Sequence, residues 1–426
     1  MGMKRVLSVF AALALVATAC GTGTTPTFDS EPITEPTETA PPGPPRTLAV
    51  SVSRTDPDPA APVAQLVTGF NDAGFELLGR QGTENFVFSP LSIGHALLMA
   101  RGAADDPTGR AIDARFDLPE DRAAHQAWNA LDQQLGQATA DQDEMEVTIA
   151  DRIWPRIGLE PEQDWIDLLA AEHGASVETL DLSGDPTGSR KHINEWVSQQ
   201  TQGLIPDLLP DGFITPQTLL VLTDAVYFEA RWQTPFGKYG TVSEDFTLLD
   251  GSTIQVEYMR ELELLDRRGV GDGFVAAEIP YVGGEFSMLL IVPDRDRFTE
   301  IRDSLDQGLV DTIDRTFEEG PFELLVPKWE TTTNLDLLPW LEEAGVAPGS
   351  YPGIDPSAFL AGAVHGADIA VDEEGTVAAA ATGLGFNESA GAMPELTIAA
   401  DRPFLYLIRH RPSGAVLFAG QVTDPR

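Results

Sequence analysis

Between Asp372 and Asp401 the chain reads D-E-E-G-T-V-A-A-A-A-T-G-L-G-F-N-E-S-A-G-A-M-P-E-L-T-I-A-A-D, and this stretch limits what the remainder can be. It opens on an acidic turn at Glu373, Glu374 and Gly375, runs through very small residues, and stops just before the apolar segment Phe404 to Ile408. Ala378 to Ala381 favour a helix on intrinsic propensity, but Thr376 and Val377 precede them and Thr382, Gly383 and Gly385 follow, so no fixed helix is expected. The stretch therefore reads as a long exposed loop. Such loops are uncommon inside compact domains and usually carry function.

The surrounding chain is large enough to hold such a loop rigidly. It has 426 residues, 42% of them hydrophobic, which suffices for one large domain or two ordinary ones. Lys and Arg number 27 against 67 Asp and Glu, a formal charge of -40, and a field of that sign repels phosphate backbones. Nucleic acid is thereby excluded as a partner, and the acidity reads as a solvated surface. The single cysteine, Cys20, rules out a disulfide within the chain.

Cys20 also has a telling position. Lys4 and Arg5 give a basic start, Val6 to Val16 an apolar stretch, and Ala17-Thr18-Ala19-Cys20-Gly21 a small-residue close. Residues 1–19 read as a secretory signal, too short for a mature membrane span. The close resembles a bacterial lipobox, in which the cysteine is lipidated and becomes the new N-terminus; an ordinary signal with an incidental cysteine is the other reading. Residues 20–59 are rich in Thr, Pro, Glu and Ser and read as an extended spacer. The expected location is extracellular, anchored to the outer face of the cell membrane or secreted.

From residue 60 the periodicities alternate between helix and strand. Val63, Leu66, Val67, Phe70, Ala73, Leu77 and Leu78 predict a helix from about Pro62 to Arg80. Asn85 to Ile93 reads as a short strand and then a helix capped by Ser89, with Pro90 in the first helical position. Helices are expected near 123–135, 161–171, 193–203, 297–317 and 335–344. Strands are expected near 145–154, 219–228, 246–259, 261–267, 274–280, 286–292 and 416–422. No repeat or second linker divides the chain, so residues 60–426 form one α+β unit.

Several segments together resemble the serpin family. They are N-x-[FV]-F-S-P-L-S-I at Asn85 to Ile93, N-x-W-V-x-x-x-T-x-G-x-[IL] at Asn194 to Leu204, and A-V-Y-F-x-A-x-W-x-x-x-F at Ala225 to Phe236. To these add P-Y-x-G-x-x-x-S-M at Pro280 to Met288, V-P-K at Val326 to Lys328, E-E-G-T-x-A-A-A-A-T at Glu373 to Thr382, and A-D-R-P-F-L-[YF]-x-I-R at Ala400 to Arg409. Each is weak alone; seven in this order are specific. The resemblance implies a serpin fold with three β-sheets, about nine helices and an exposed reactive-centre loop, in a monomer without cofactor or metal. It implies a suicide-substrate inhibitor of serine, and sometimes cysteine, proteases. The attacked loop remains as an acyl-enzyme while it inserts as a new strand in the central sheet.

The residue types of the loop fit that role independently. Alternation puts Thr376, Ala378, Ala380 and Thr382 on one face and Val377, Ala379, Ala381 and Gly383 on the other, all small enough to thread between neighbours. No charge lies between Thr376 and Asn387, so insertion buries no unpaired ion. A dozen inserted residues, at about 0.5–1.5 kcal/mol per net hydrogen bond, release on the order of 10 kcal/mol.

Family roles transfer to matching positions. Glu373, Glu374 and Gly375 to Thr382 would form the hinge, Glu373 would pair with Lys328 at the mouth of the sheet, and Trp232 would pack beside them. Ser89, Ser92 and His365 match the shutter that holds the two central strands together. Asp224 stands where the family usually has Asn; it either faces His365, raising that pKa, or turns elsewhere. Gly366, where Lys is common, is a second departure. Counting from Glu373 sets the reactive bond at Ser389-Ala390, with Phe386 and Met393 as lesser candidates. A small residue there implies elastase-like or subtilisin-like targets, and Phe386 chymotrypsin-like ones. A non-inhibitory serpin acting as a cell-surface binding module is the alternative. A hydrolase is disfavoured because no G-x-S-x-G or H-E-x-x-H is present and the six histidines do not cluster in sequence.

Overall fold

In the computed structural model of the chain, residues 9–19, 46–47, 52–120, 122–140, 142, 144–237, 240–376 and 396–426 are described. The first element is a strand, β1 (Val9–Ala19), formed by the apolar segment read above as part of a signal. The two-residue β2 (Arg46–Thr47) follows within the spacer. The last spacer residues are already docked on the domain: Thr55 N donates to Ala171 O at 2.9 Å, and Arg54 Nε to Asn129 Oδ1 at 2.9 Å.

Helices then dominate. α1 (Val63–Gly79) buries Leu66, Val67, Phe70, Ala73, Leu77 and Leu78, the spacing of a one-sided helix. β3 (Phe86–Phe88) leads into α2 (Pro90–Arg101), where the Ser89 side chain accepts from Ser92 N, as its capping position predicts. α2 is buried from Pro90 to Ala100 because it runs between two sheets. α3 (Asp106–Phe116) escaped the periodicity reading because it buries only Thr108, Gly109, Ile112 and Phe116. Its start was nonetheless signalled by Asp105, which accepts from Thr108 N, and by a proline in the first turn. α4 (Arg122–Thr139) and β4 (Met145–Pro155) follow as expected. α5 (Gln163–Leu168) ends in a wide π turn over Leu169–His173, then β5 (Ser176–Thr179) and α6 (Pro186–Gln200).

The C-terminal half is mostly strand. β6 (Thr218–Arg231) is buried along nearly its whole length. β7 (Val242–Thr247) and the long β8 (Thr253–Gly271) replace the two expected strands, and β9 (Phe274–Pro280) and β10 (Phe286–Pro293) match expectation. The single helix expected near 297–317 is two, α7 (Phe298–Asp303) and α8 (Gln307–Thr316), the second capped by Asp306. β11 (Glu318–Pro327), β12 (Trp329–Asp336), α9 (Leu338–Glu343), β13 (Ala358–Val371), β14 (Gly375–Thr376), β15 (Thr397–Ala399), β16 (Phe404–His410) and β17 (Val416–Val422) complete the order.

These strands form an eight-stranded and a nine-stranded sheet among the described residues. The second sheet, ordered β15-β11-β8-β9-β10-β16-β17-β3 with β7 on β8, runs as one ladder through two of the three sheets that the family resemblance implies, because β8 is long enough to pair in both regions. In the first sheet β12 pairs β13, and β6 pairs β4, which leads to β5 and β2. Between β13 and β6 lies a slot. Its top is filled by β14, with Thr376 opposite Ala230 and Val371, and its remaining length by β1, antiparallel to both neighbours from Val9 to Ala19.

Close helix contacts lock this frame. A Cβ at Gly69 of α1 would lie 1.6 Å from Phe116 O, whereas one at Gly136 of α4 would meet nothing within 4 Å. Gly69→Ala is expected to cost about 1–3 kcal/mol or more by forcing α1 from α3. Gly136→Ala should stabilise by about 0.5–1 kcal/mol through reduced backbone freedom in the unfolded chain. Denaturant titration of both variants checks the pair, and equal effects would contradict the packing.

Candidate functional site

The top of the slot is built around the acidic turn. Asp372 Oδ1 accepts from Glu374 N at 2.8 Å and from Gly375 N at 3.3 Å, and Asp372 N donates to Gly375 O at 3.1 Å. These bonds fold the chain back so that Gly375 and Thr376 enter between β13 and β6. Gly375 is required for that entry, since a Cβ there would lie 2.2 Å from Ala230 O. Thr376 is buried, its Oγ1 2.5 Å from Tyr281 Oη, and Tyr281 stacks on Trp232 at 4.5 Å.

Lys328, Trp232 and Glu373, the positions that the family resemblance set at the mouth of the sheet, meet here. Lys328 Nζ lies 2.8 Å from Glu373 Oε1, which also accepts from Thr241 Oγ1 at 2.8 Å. Burial pushes the Glu373 pKa up, but Lys328 and Thr241 outweigh it and hold the carboxyl below its usual range. Trp232 N donates to Glu374 O at 3.0 Å, Trp232 Nε1 to Asp372 O at 3.0 Å, and Phe236 N to Glu373 O at 2.9 Å. Glu374 in turn pairs with Arg231 at 3.2 Å. The turn is thus held through its backbone by β6 and its extension, and through its side chain by Lys328. The hinge positions Val377, Ala378, Ala379, Ala380, Ala381 and Thr382, the candidate bond Ser389-Ala390 with Phe386 and Met393, and Cys20 lie outside the described residues.

Lower in the slot the shutter residues differ from expectation. His365 Nε2 accepts from Ser89 N at 3.1 Å, which ties β13 to the cap of α2. Asp224 does not face His365. Leu13 of β1 stands between them in the ladder, paired with Asp224 on one side and His365 on the other. Asp224 instead accepts from Ser92 Oγ and from His95 Nδ1, the latter at 2.6 Å. Burial pushes the His365 pKa down to about 3, a shift that Asp224 only weakly opposes, so the expectation of a raised His365 is overturned.

The raised histidine is His95. Burial alone would strip its proton, but Asp151, 3.4 Å away, and Asp224 together hold its pKa up to about 9. Burial likewise pushes Asp151 up to about 8 against the opposing pull of His95, so the protons between them belong to the pair and not to either residue alone. With both ring nitrogens protonated, His95 donates through Nε2 to His173 Nδ1 at 2.8 Å. His173 then donates through Nε2 to His125 Nδ1 at 2.8 Å, so the three tautomers follow from the one charge. Burial pushes His173 well below its usual value and His125 down to about 3. His95 is clamped from the other side by Trp128, stacked at 3.5 Å. This relay joins the shutter to a surface cleft of about 570 Å³ lined by His125, Arg101, Arg122 and Trp165.

The sequence reading missed His95, His125, His173 and Asp151, which are 22 to 78 residues apart along the chain. One signal was available. His95 follows Ser92 by one helical turn, so the two share a face of α2. His95 Nδ1, Asp151 Oδ1 and Asp224 Oδ2 lie within 4.8 Å of one another and are donor types a divalent cation accepts. The 2.6 Å separation of Nδ1 and Oδ2 suits a shared proton better, since two ligands on one tetrahedral zinc stand roughly 3.3 Å apart at bond lengths near 2 Å. Nor do these residues compose a nucleophilic triad: Ser92 gives its hydroxyl proton to Asp224, not to an imidazole, and is fully buried.

The relay predicts a dome-shaped stability profile. The fold keeps a proton on Asp151 up to about pH 8 and on His95 up to about pH 9, while the unfolded chain releases them near 3.8 and 6.5. Stability therefore falls as pH rises above neutrality. Below 6.5 the unfolded chain protonates His125, His173 and His365, which the fold keeps neutral, so stability falls towards acid as well. The maximum is expected at about pH 6–7. Asp151→Asn, which imitates the protonated acid, should shallow the alkaline limb and steepen the acidic one, because the Asp151 proton opposes the histidines from about pH 3.8 to 8. Denaturant midpoints between pH 5 and 9 check both, and an alkaline limb unchanged in the variant would refute the assignment.

The serpin (serine protease inhibitor) family model matches residues 72–425. Similar chains include putative serpin-Z12 of Oryza sativa subsp. japonica, 31% identical over 373 residues, with 82% of this chain and 86% of the relative covered. Leukocyte elastase inhibitor of Equus caballus is 31% identical over 366 residues, with 80% and 94% covered. Among solved structures, the thermophilic serpin Tengpin in its native state gives a TM-score of 0.73 at 21% identity, covering 88% of this chain and 96% of Tengpin, a likeness of fold. With the turn at Glu373 poised over a strand-wide slot and a match to nearly all of the domain, the chain belongs to the serpin family, whose members inhibit serine proteases.

Proposed function

We propose that this serpin is itself a suicide-substrate inhibitor of serine proteases, and of cysteine proteases that form the analogous acyl-enzyme. The observation that carries the reading is the position of Gly375 and Thr376. They already pair with Arg231, Ala230 and Val371 at the top of a slot whose lower part accepts a complete strand. A loop cut beyond this point can continue downwards from Thr376, residue by residue, between β6 and β13. The residues that follow Thr376 are small as far as Gly383 and uncharged as far as Asn387, so each can enter without leaving an unpaired charge. The protease supplies the chemistry and the sheet supplies the driving force.

Ser389-Ala390 is the proposed reactive bond, which directs the inhibitor to elastase-like or subtilisin-like enzymes; cleavage at Phe386 would direct it to chymotrypsin-like ones. Mixing the protein with elastase, subtilisin and chymotrypsin should give, on denaturing gels, a band at the summed mass with at least one of them. Ala378→Arg should abolish that band while the loop is still cut, because a charge would have to enter the slot. Cleavage of the unsubstituted protein without any stable complex would overturn the inhibitor in favour of a binding module.

The site of action belongs to the same proposal. The lipobox-like close at Ala17 to Gly21 supports export and acylation of Cys20, with the following Thr/Pro-rich residues as a spacer from the membrane. In cell fractionation Cys20→Ser should move the protein from the membrane to the soluble fraction. Retention in the membrane would discount the anchor.

A further inference from the structure

The chain of imidazoles that starts at Asp224 ends in the cleft formed by the end of α2, the first turn of α4 and α5. His125 lines that cleft although only 3% of its surface is exposed. Its Nδ1 is turned inwards to His173 Nε2, which leaves Nε2 as the ring nitrogen on the cleft side. Among the described residues no group bonds to that nitrogen. A buried ring thus presents one polar atom to a cleft of about 570 Å³, a size within the range of small-molecule sites.

What Nε2 offers is decided at the far end of the chain. Rings bonded in series have two consistent directions of donation. With His95 protonated on both nitrogens beside Asp224 and Asp151, each ring donates outwards: His95 Nε2 to His173 Nδ1, then His173 Nε2 to His125 Nδ1. His125 Nε2 then holds a proton that points into the cleft. With one proton fewer, His95 keeps only its Nδ1–H for Asp224, both bonds reverse, and His125 Nε2 becomes a bare acceptor. The two carboxylates beside His95 therefore make the cleft a donor. The walls narrow what it accepts. Burial, and then the charges of Arg101 and Arg122, push the His125 pKa down to about 3, so the ring stays neutral while the two guanidiniums favour an anion beside it. Glu162 and Asp164 line the same cleft and disfavour a second negative charge, and Trp165 and Leu168 give it apolar area.

We propose that this cleft binds a small organic monocarboxylate, one oxygen of which accepts from His125 Nε2, and that its occupancy is coupled through His173 and His95 to Asp224 on β6. A carboxylate at each end of the chain favours the same direction of donation and the same proton count, and each bond polarises the next. The coupling is reciprocal: whatever removes the proton from His95 weakens the ligand, and the ligand holds that proton in place. The site stands or falls independently of the inhibitor reading above.

The test uses the full chain at neutral pH with sodium benzoate as the probe, and with benzylamine, a cation of similar shape, and inorganic phosphate beside it. Benzoate should bind saturably in calorimetry and raise the melting temperature. No saturable binding, or binding of benzylamine in its place, would overturn the carboxylate site, and phosphate bound as tightly as benzoate would overturn the preference for an organic monoanion. His125→Phe, which removes the donor, should weaken benzoate roughly tenfold or more. The pair Asp151→Asn with Asp224→Asn alters no residue of the cleft but takes the second proton from His95, and it should weaken benzoate by a similar factor. Unchanged affinity in that pair would overturn the coupling. Should either variant fail to fold, nitrogen NMR of the unsubstituted, histidine-labelled protein decides. His125 should be protonated on Nε2 and bare on Nδ1, and benzoate should move the ring nitrogens of His173 and His95 as well as those of His125. A bare Nε2 would overturn the site, and shifts confined to His125 would overturn the coupling.

Discussion

Two long buried strands, β6 and β13, run parallel with facing edges whose N–H and C=O groups must find partners. An unpaired backbone group in such a place costs as much as a lost hydrogen bond, and each strand offers about one group per residue to the gap. Everything functional in the molecule follows from how that requirement is met. A strand between them satisfies both edges at once, as β14 does at the top and β1 below it.

The top and middle of the gap are controlled by different physics. At the top, the turn from Asp372 to Gly375 is fixed by backbone bonds to Trp232 and Phe236 and by the partly exposed Lys328–Glu373 pair, so Thr376 is delivered into the gap but held at its entrance. In the middle, Asp224 places a carboxylate on a completely buried strand. An isolated buried carboxylate costs several kcal/mol, and this one is offset by Ser92 and by the cationic His95. The cation in turn orients His173 and His125. β6 is thereby tied to α2, to the π turn and to α4 by a single chain of proton donors, and any movement of β6 at the level of Leu13 must carry or break that chain.

Much of this was legible in the sequence, for reasons that also explain the rest. The N-cap at Ser89, the apolar face of α1 and the buried runs of β6, β10 and β17 each carry a local signal, and the structure places them within a few residues of expectation. The meeting of Lys328, Trp232 and Glu373 was readable only through the family resemblance, since 45 residues separate Lys328 from Glu373 and nothing local links them. β13, the strand that makes one wall of the gap, was not read at all. Gly362, His365, Gly366 and Asp368 interrupt its apolar pattern, and three of them are explained by what the strand packs against: Val16 and Phe213 beside Gly362, Ser89 at His365, Thr332 at Asp368. The histidine relay was equally hidden, because its members come from three helical elements that tertiary packing alone brings together.

Val9–Ala19 meets two different demands with one composition. A short run of apolar residues without charge is what a secretory leader requires, because it must leave water for a membrane. A slot between two buried strands asks for nearly the same thing, a run without charge and with few bulky side chains, for the separate reason that both of its faces and both of its edges become buried. Periodicity does not distinguish them, since a segment buried on both faces shows no alternation. Ala11, Ala12, Ala14, Ala17 and Ala19 satisfy both demands, since they keep the run apolar and, because side chains of an extended segment turn to the two faces of a sheet and not towards the neighbouring strands, they suit a segment covered on both faces.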